Sequence, residues 1–238
     1  DHRDLHSFPT RRSSDLTSVN SIIEIENATY SYTNKYQSVP AIQDVSTSFV
    51  RGRLYAIIGK SGSGKTTLLS LMAGLALPEK GQILFQGVPP DSFDLDPYRR
   101  EKVAVSYQSF TIFPLMTCLE NVCYPLELKG YSPKEAAVVA KDYIKKVDLP
   151  DTVYHRFPNM LSGGEQQRIA IARALASGAQ VILADEPTGN LDVATGKRII
   201  KLLSDLAHVE NYTVIIVTHD ISIADIADDV LRMQDGRL

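Results

Sequence analysis

The segment GKSGSGKT at 59–66 constrains this chain more than any other stretch. It fits G-x-x-x-x-G-K-[S/T], the P-loop pattern, in which glycines let backbone N–H groups come close to an anion at a helix start. The apolar run Leu54, Tyr55, Ala56, Ile57, Ile58 leads in as a buried strand, and Thr67, Leu68, Leu69, Ser70, Leu71, Met72 leads out as an amphipathic helix. Strand, loop and helix in that order are the context a phosphate cradle needs. Lys65 is expected on the β- and γ-phosphates and the Thr66 hydroxyl on Mg²⁺. A Gly/Ser-rich turn is the competing reading, but a chance match to the pattern in a chain this long is on the order of 1 in 100.

A chain of 238 residues, 44% hydrophobic and 22% charged, suffices for one large domain or a core with a subdomain. The net charge of −3 and the lack of any basic block argue against nucleic acid as a partner. Cys118 and Cys123 are spaced C-x₄-C, which suits neither a zinc knuckle nor a redox pair, so they read as small apolar residues in a reducing compartment. No apolar run approaches the ~18 residues that span a bilayer. The expectation is no direct membrane insertion, with any membrane link made through a partner. Residues 1–16 (DHRDLHSFPTRRSSDL) carry three Asp, three Arg and no apolar period. That string resembles a short-read sequencing adapter translated in one frame, and reads as a non-native tail outside a domain at 17–238; a disordered tail is the other reading.

Along the chain, strands are expected at 22–32, with a turn at Glu26 and Asn27, and at 45–50, giving an antiparallel sheet beside the nucleotide-binding core. A strand at 82–85 follows the P-loop helix, and one at 103–108 ends in Gln108. The segment from there to Met160 holds one clear helix, 132–147, with Ser132 as N-cap, Pro133 at the first helical position and Glu135 closing a capping box. It reads as a helical subdomain at about 109–160. The string LSGGEQQR opens a helix through Ala176, and an α/β rhythm then resumes with strands at 181–184, 213–217 and 230–233 and helices at 195–206 and 221–227.

Two carboxylates, Asp185 and Glu186, end the apolar strand at 181–184, at the edge where open α/β sheets bind ligands. Asp185 is expected to hold Mg²⁺ through water, and Glu186 to polarise the attacking water. With GKSGSGKT, LSGGEQQR and ADEPTGNLD in one order, the chain resembles the nucleotide-binding subunit of ATP-binding cassette (ABC) transporters over residues 22–238. No motif position departs from the family pattern. The implied fold is α/β: a P-loop NTPase (RecA-like) core with an N-terminal antiparallel β subdomain and an inserted α-helical subdomain.

The resemblance implies an ATP hydrolase with ATP and Mg²⁺ as cofactors. Glu186, His219, Lys65 and Gln108 are its catalytic residues. Nucleotide contacts come from Tyr32, Gly59, Lys60, Ser61, Gly62, Ser63, Gly64, Lys65, Thr66, Thr67, Ser162, Gly163, Gly164 and Asp192, and metal contacts from Thr66, Gln108 and Asp185. Ser162 with Glu165 also reads as an ordinary capping box, His219 and Gln108 as structural side chains, and Tyr30 competes with Tyr32 as adenine stacker. Phe110, Phe113, Pro114, Leu115 and Met116 are either subdomain core or a groove for a helix of a membrane subunit. The implied partners are a second ATPase subunit, in a head-to-tail homodimer closing Ser162 and Gly164 on ATP held by the other copy, and a transmembrane permease at the cytoplasmic face of the membrane. ADEPTGNLD looks most like the lipoprotein-release, macrolide-export and cell-division subgroup. The alternatives are a non-transport ABC ATPase, such as a cell-division mechanical regulator, and a nucleotide switch without turnover.

Overall fold

In the computed structural model, residues 21–89 and 95–238 are described, so the tail read at 1–16 lies outside them. Their strands are β1 (Ser21–Thr33), β2 (Ser38–Val50), β3 (Leu54–Ile58), β4 (Lys80–Phe85), β5 (Val103–Ser106), β6 (Val181–Asp185), β7 (Thr213–Thr218) and β8 (Asp229–Arg232). The helices are α1 (Lys65–Met72), α2 (Leu95–Glu101), α3 (Cys118–Leu128), α4 (Pro133–Lys146), α5 (Gly163–Ala176) and α6 (Val193–His208). An antiparallel sheet has the order β2-β1-β4, and a parallel sheet the order β5-β6-β7-β3-β8.

The parallel strands are apolar on both faces, and alternate residues feed two cores. Leu54, Ala56 and Ile58, with Ile182, Ala184, Val214 and Ile216, face a core shared with α3, α4, α5 and α6. Tyr55 and Ile57, with Leu183, Ile215 and Val217, face a second core shared with the antiparallel sheet and α1. Because the central strands are parallel, their carboxyl ends lie along one edge, and the chain enters the P-loop there from β3.

Several local expectations are corrected. The turn expected at Glu26 and Asn27 is a bulge within β1: Asn27 has φ 46°, the register shifts between Ile25 and Ala28, and the Asn27 N–H donates to Ser46 Oγ at 2.8 Å. β2 begins well before residue 45, its outer half an exposed strand with no alternation to read. β5 stops at Ser106, leaving Gln108 beyond the strand rather than at its last position. The helix expected at 221–227 is a 3₁₀ turn, Ile221–Asp225, too short to repay helix nucleation. Helices α2 and α3 were not expected. α3 starts at a capping box, with the Thr117 side chain accepting from the Glu120 N–H and the Glu120 carboxylate accepting from the Thr117 N–H.

Asn121 on α3 is fully buried and organises the loop before it. Its Oδ1 accepts from the Phe113 N–H at 2.8 Å, and Nδ2 donates to the carbonyls of Phe113, Met116 and Thr117 at 3.0, 3.1 and 3.0 Å. Asn121→Leu keeps the branched shape but strands these groups, and is expected to lower unfolding free energy by about 2–3 kcal/mol. Urea denaturation measures it, and an unchanged midpoint would show that water replaces the amide. Both cysteines are buried and unpaired, and burial pushes each thiol up to about 11, consistent with inert packing residues.

Candidate active site

The P-loop is braced by chain on several sides. A Cβ on Gly59 would lie 2.3 Å from the Met233 carbonyl oxygen after β8, and one on Gly64, at φ 104°, 2.4 Å from that of Ala41 on β2. Only glycine fits either position. The Gly236 N–H donates to the Ser63 carbonyl at 2.9 Å. The Lys65 ammonium folds back over the loop, donating to the carbonyls of Gly59 and Lys60 at 2.8 and 3.0 Å. Among the described residues, no backbone or side-chain acceptor takes the N–H of Gly62, Gly64, Lys65 or Thr66. Helix α1 has no side-chain cap and no acidic residue in its first turn, and the Ser63 hydroxyl is buried without a partner. A concave run of free donors at an uncapped helix N-terminus beside a lysine suits an anion with several oxygens. The cradle therefore fits a polyphosphate.

The strand ends deliver the remaining groups to the same edge. The Thr66 hydroxyl donates to Asp185 Oδ1 at 3.3 Å, which joins the loop to the end of β6. Burial pushes the Asp185 carboxyl above its usual range; the Thr66 hydroxyl lowers it, the adjacent Glu186 raises it further, and Lys65 lowers it. Glu186 follows at φ 45°, a left-handed conformation costing a non-glycine residue about 1 kcal/mol or more. Its Oε2 accepts from Thr218 Oγ1 at 2.9 Å, and Oε1 from the His219 N–H at 3.0 Å, with His219 Nδ1 2.8 Å away. An ionised carboxylate only accepts, so Nδ1 carries the proton, and Oε2 keeps a lone pair open.

Gln108 Nε2 donates to Asn190 Oδ1 at 3.4 Å, and Asn190 Nδ2 donates back to the Gln108 carbonyl at 3.1 Å. Tyr107, Gln108, Ser109, Asp185 and Asn190 line one cavity of about 430 Å³. Tyr32 lies beside α1, its hydroxyl 3.2 Å from Thr67 Oγ1 and its exposed ring edge-on to Tyr30 at 5.3 Å. Lys60 and Ser61 are exposed at the tip of the loop.

The remaining expected residues stand apart. Ser162 caps α5 in a complete capping box with Glu165. Glycines follow partly for packing: a Cβ on Gly163 would lie 3.2 Å from Leu191 Cδ2, and one on Gly164 2.3 Å from Thr195 Cγ2. No hydrogen bond joins 162–168 to 59–66 among the described residues. Asp192 caps α6, accepting from the Thr195 N–H at 2.9 Å; its hydrogen bonds from Thr195 hold its carboxyl below the usual range. Thr218, which holds Glu186, and Asn190, which holds Gln108, were not anticipated. Each adjoins an expected residue or lies within a quoted motif, but nothing in the string assigns a side-chain partner.

A family model described as "ABC transporter" matches residues 42–189. The chain belongs to the ABC transporter ATP-binding family. It is 41% identical over 216 residues to the uncharacterized ABC transporter ATP-binding protein YclH of Bacillus subtilis, covering 91% of this chain and 95% of that one. The lipoprotein-releasing system ATP-binding protein LolD 2 of Rhodopirellula baltica is 37% identical over 226 residues, covering 91% and 88%. The dimeric structure of MJ0796, an ABC transporter cassette, superposes with a TM-score of 0.83 at 37% identity, covering 91% of this chain and 96% of that one. A second structure of that cassette is a dimeric post-hydrolysis state bound to ADP and Pi, with a TM-score of 0.83 at 36% identity and the same coverage. As in those ABC cassettes, the architecture here is an α/β P-loop core with an antiparallel sheet and helices.

Proposed function

We propose that this chain binds and hydrolyses ATP as the nucleotide-binding subunit of an ABC transporter, with the residues expected from the sequence in their expected roles. The observation that carries this reading is the convergence of an uncapped, donor-rich P-loop with Asp185 and Glu186 at one sheet edge. Lys65 and the free N–H groups of Gly62, Gly64, Lys65 and Thr66 hold the phosphate oxygens, and the exposed Tyr32 ring is the adenine stacker in this reading, with Tyr30 beside it as the competing ring. Among the described residues no three His, Cys, Asp or Glu side chains cluster as a metal site. Thr66, Asp185 and Gln108 suit an ion that keeps waters and takes its other ligands from phosphate, as Mg²⁺ does. Mg²⁺, when bound, would neutralise charge on the phosphate oxygens and offset the half-buried Asp185 carboxylate.

Glu186 Oε2 orients a water and holds its proton as the water oxygen bonds to the γ-phosphorus and the bond to the bridging oxygen breaks, giving ADP and phosphate. His219 and Thr218 hold that carboxylate in place. Incubation of the purified chain with Mg·ATP tests this: phosphate release abolished by chelation is expected. Nucleotide binding without phosphate release would leave only a switch.

Because Ser162, Gly163 and Gly164 make no hydrogen bond to the P-loop of their own chain, a second copy is the natural donor of that helix start to the γ-phosphate. That the MJ0796 cassette structures are dimeric supports a homodimer, and head-to-tail is the arrangement that lets each copy supply its α5 start to the other's P-loop. Among the described residues no helix is long and apolar enough to cross a membrane. A permease partner then holds the subunit at the cytoplasmic face of the membrane. Likeness to a lipoprotein-releasing relative supports the subgroup in which turnover drives a mechanical stroke. Phe113, Pro114 and Leu115 are exposed, with Leu115 89% accessible, which favours the groove over the core reading of that segment.

A further inference from the structure

A buried polar atom without a partner is costly, and its place in a native fold calls for a reason. Among the described residues, three side-chain atoms are so placed: Ser63 Oγ in the P-loop, and Gln167 Oε1 and Arg173 Nη1, both on α5. Gln167 belongs to the stripe Gly164, Gln167, Ile171 and Ala174, buried throughout, where the helical period favours apolar side chains. A methionine there would fill much the same space and leave no carbonyl stranded. What the amide supplies instead is a bond from Nε2 to Ser106 Oγ at 3.1 Å, with both residues out of solvent.

Ser106 is the last residue of β5, in register with Ala184 just before Asp185, and it precedes Gln108 by two positions. Beyond it the sheet no longer holds the chain. On the far side of Gln108, Arg173 Nη2 donates to the Thr111 carbonyl at 2.6 Å, with its guanidinium 5.0 Å from the Phe113 ring centroid. Gln167 and Arg173 are roughly 9 Å apart along the helix, so α5 grips the segment 106–111 at both ends. Phe110 and Thr111 within it are consecutive non-glycine residues in the left-handed region, at φ 60° and 44°. Such backbone persists only where its surroundings hold it.

We propose that Gln167 is a positioning residue for the metal side of the site: through Ser106 it fixes the end of β5 against α5, and with it the place from which Gln108 reaches a metal ion. The proposal deepens the reading of this chain as an Mg·ATP hydrolase and rests on it. A buried hydrogen bond holds Ser106 more sharply than packing would, because it is directional and, out of water, electrostatically stronger. Asn190 Nδ2 also steadies the Gln108 carbonyl, at 3.1 Å, but Asn190 is exposed and lies in a turn. Gln167 ties the near side of Gln108 to a packed helix instead. Residues that orient a metal contact without touching the ion commonly change metal affinity about 10- to 100-fold when altered.

Gln167→Met keeps the length of the side chain while deleting both the bond and the stranded carbonyl, so its thermal midpoint is expected within about 4 °C of the unsubstituted chain. Mn²⁺ is titrated into the full chain holding a non-hydrolysable ATP analogue, with bound metal read by electron paramagnetic resonance. It is expected to bind about 10-fold more weakly in this variant, while analogue affinity without metal stays as it was. Ser106→Ala cuts the same bond from its other end and is expected to give the same shift, with the double variant no weaker than either single. In a Gln108→Ala background neither substitution should shift Mn²⁺ affinity further, because their effect passes through that amide; a role in packing alone would persist there. Unchanged Mn²⁺ affinity in Ser106→Ala, or a shift that survives in the Gln108→Ala background, would overturn the proposal while leaving the hydrolase reading intact. A chain that takes up neither the analogue nor Mn²⁺ with it would overturn both.

Discussion

Glu186→Gln is expected to lower ATP turnover about 10²- to 10⁴-fold, the usual contribution of a positioned general base, while leaving ATP binding intact. The amide has nearly the shape of the carboxylate, so the contacts with Thr218 and His219 at 2.8 to 3.0 Å can be kept with one group reoriented. What it cannot keep is an oxygen able to hold the proton of the attacking water. If turnover is what reopens a closed dimer, the variant should accumulate as a dimer with ATP bound. Size-exclusion chromatography with Mg·ATP, beside phosphate release, reads both effects. A fully active variant would remove Glu186 from the chemistry and leave its left-handed backbone as a feature of the turn alone.

The readable parts of this molecule are those in which a residue's place relative to a strand end is set by the chain itself. The P-loop follows Ile58, Asp185 ends β6 and His219 follows β7 directly, so a parallel sheet brings them to one edge whatever the loops do. Gln108 was legible as a strand-end residue only to within two positions, because β5 ends at Ser106 and the residues beyond are held by Asn190 rather than by the sheet. Helix α3 was hidden by Pro125 in its interior, which reads as a breaker, although Thr117 and Glu120 announced its start. The outer half of β2 has an exposed face and so carries no alternation. Arg173 shows the limit most clearly. On the helix that follows LSGGEQQ it reads as one more basic residue. That its Nη1 lacks an acceptor is a property of what tertiary packing brings near it, Phe113 and the Thr111 carbonyl, and of what it leaves out.

Two inactive variants should make an active mixture. Lys65→Ala removes the ammonium that closes the P-loop, and its loss should abolish turnover in a homodimer. Ser162→Asp keeps an N-cap acceptor for α5, since aspartate caps as well as serine, at the cost of a carboxylate facing Glu165 in place of the donated hydroxyl, and it sets a negative charge where the α5 N-terminus would meet phosphate. That variant too should be inactive alone. In a head-to-tail dimer each site draws its P-loop from one copy and its α5 start from the other. A mixed dimer then has one site carrying both lesions and one carrying neither. Equal amounts of the two give half mixed dimers with one intact site in two, so activity should recover to about one quarter of the unsubstituted level if each site turns over by itself. A site built within one chain predicts no recovery, since every chain would carry its own lesion. The test separates these because Lys65 and Ser162 share no hydrogen bond in the subunit: Lys65 is bound to Gly59 and Lys60, and Ser162 to Glu165. An inactive mixture in which the mixed dimer is shown to form would refute the composite site and return the α5 start to its role as a helix cap.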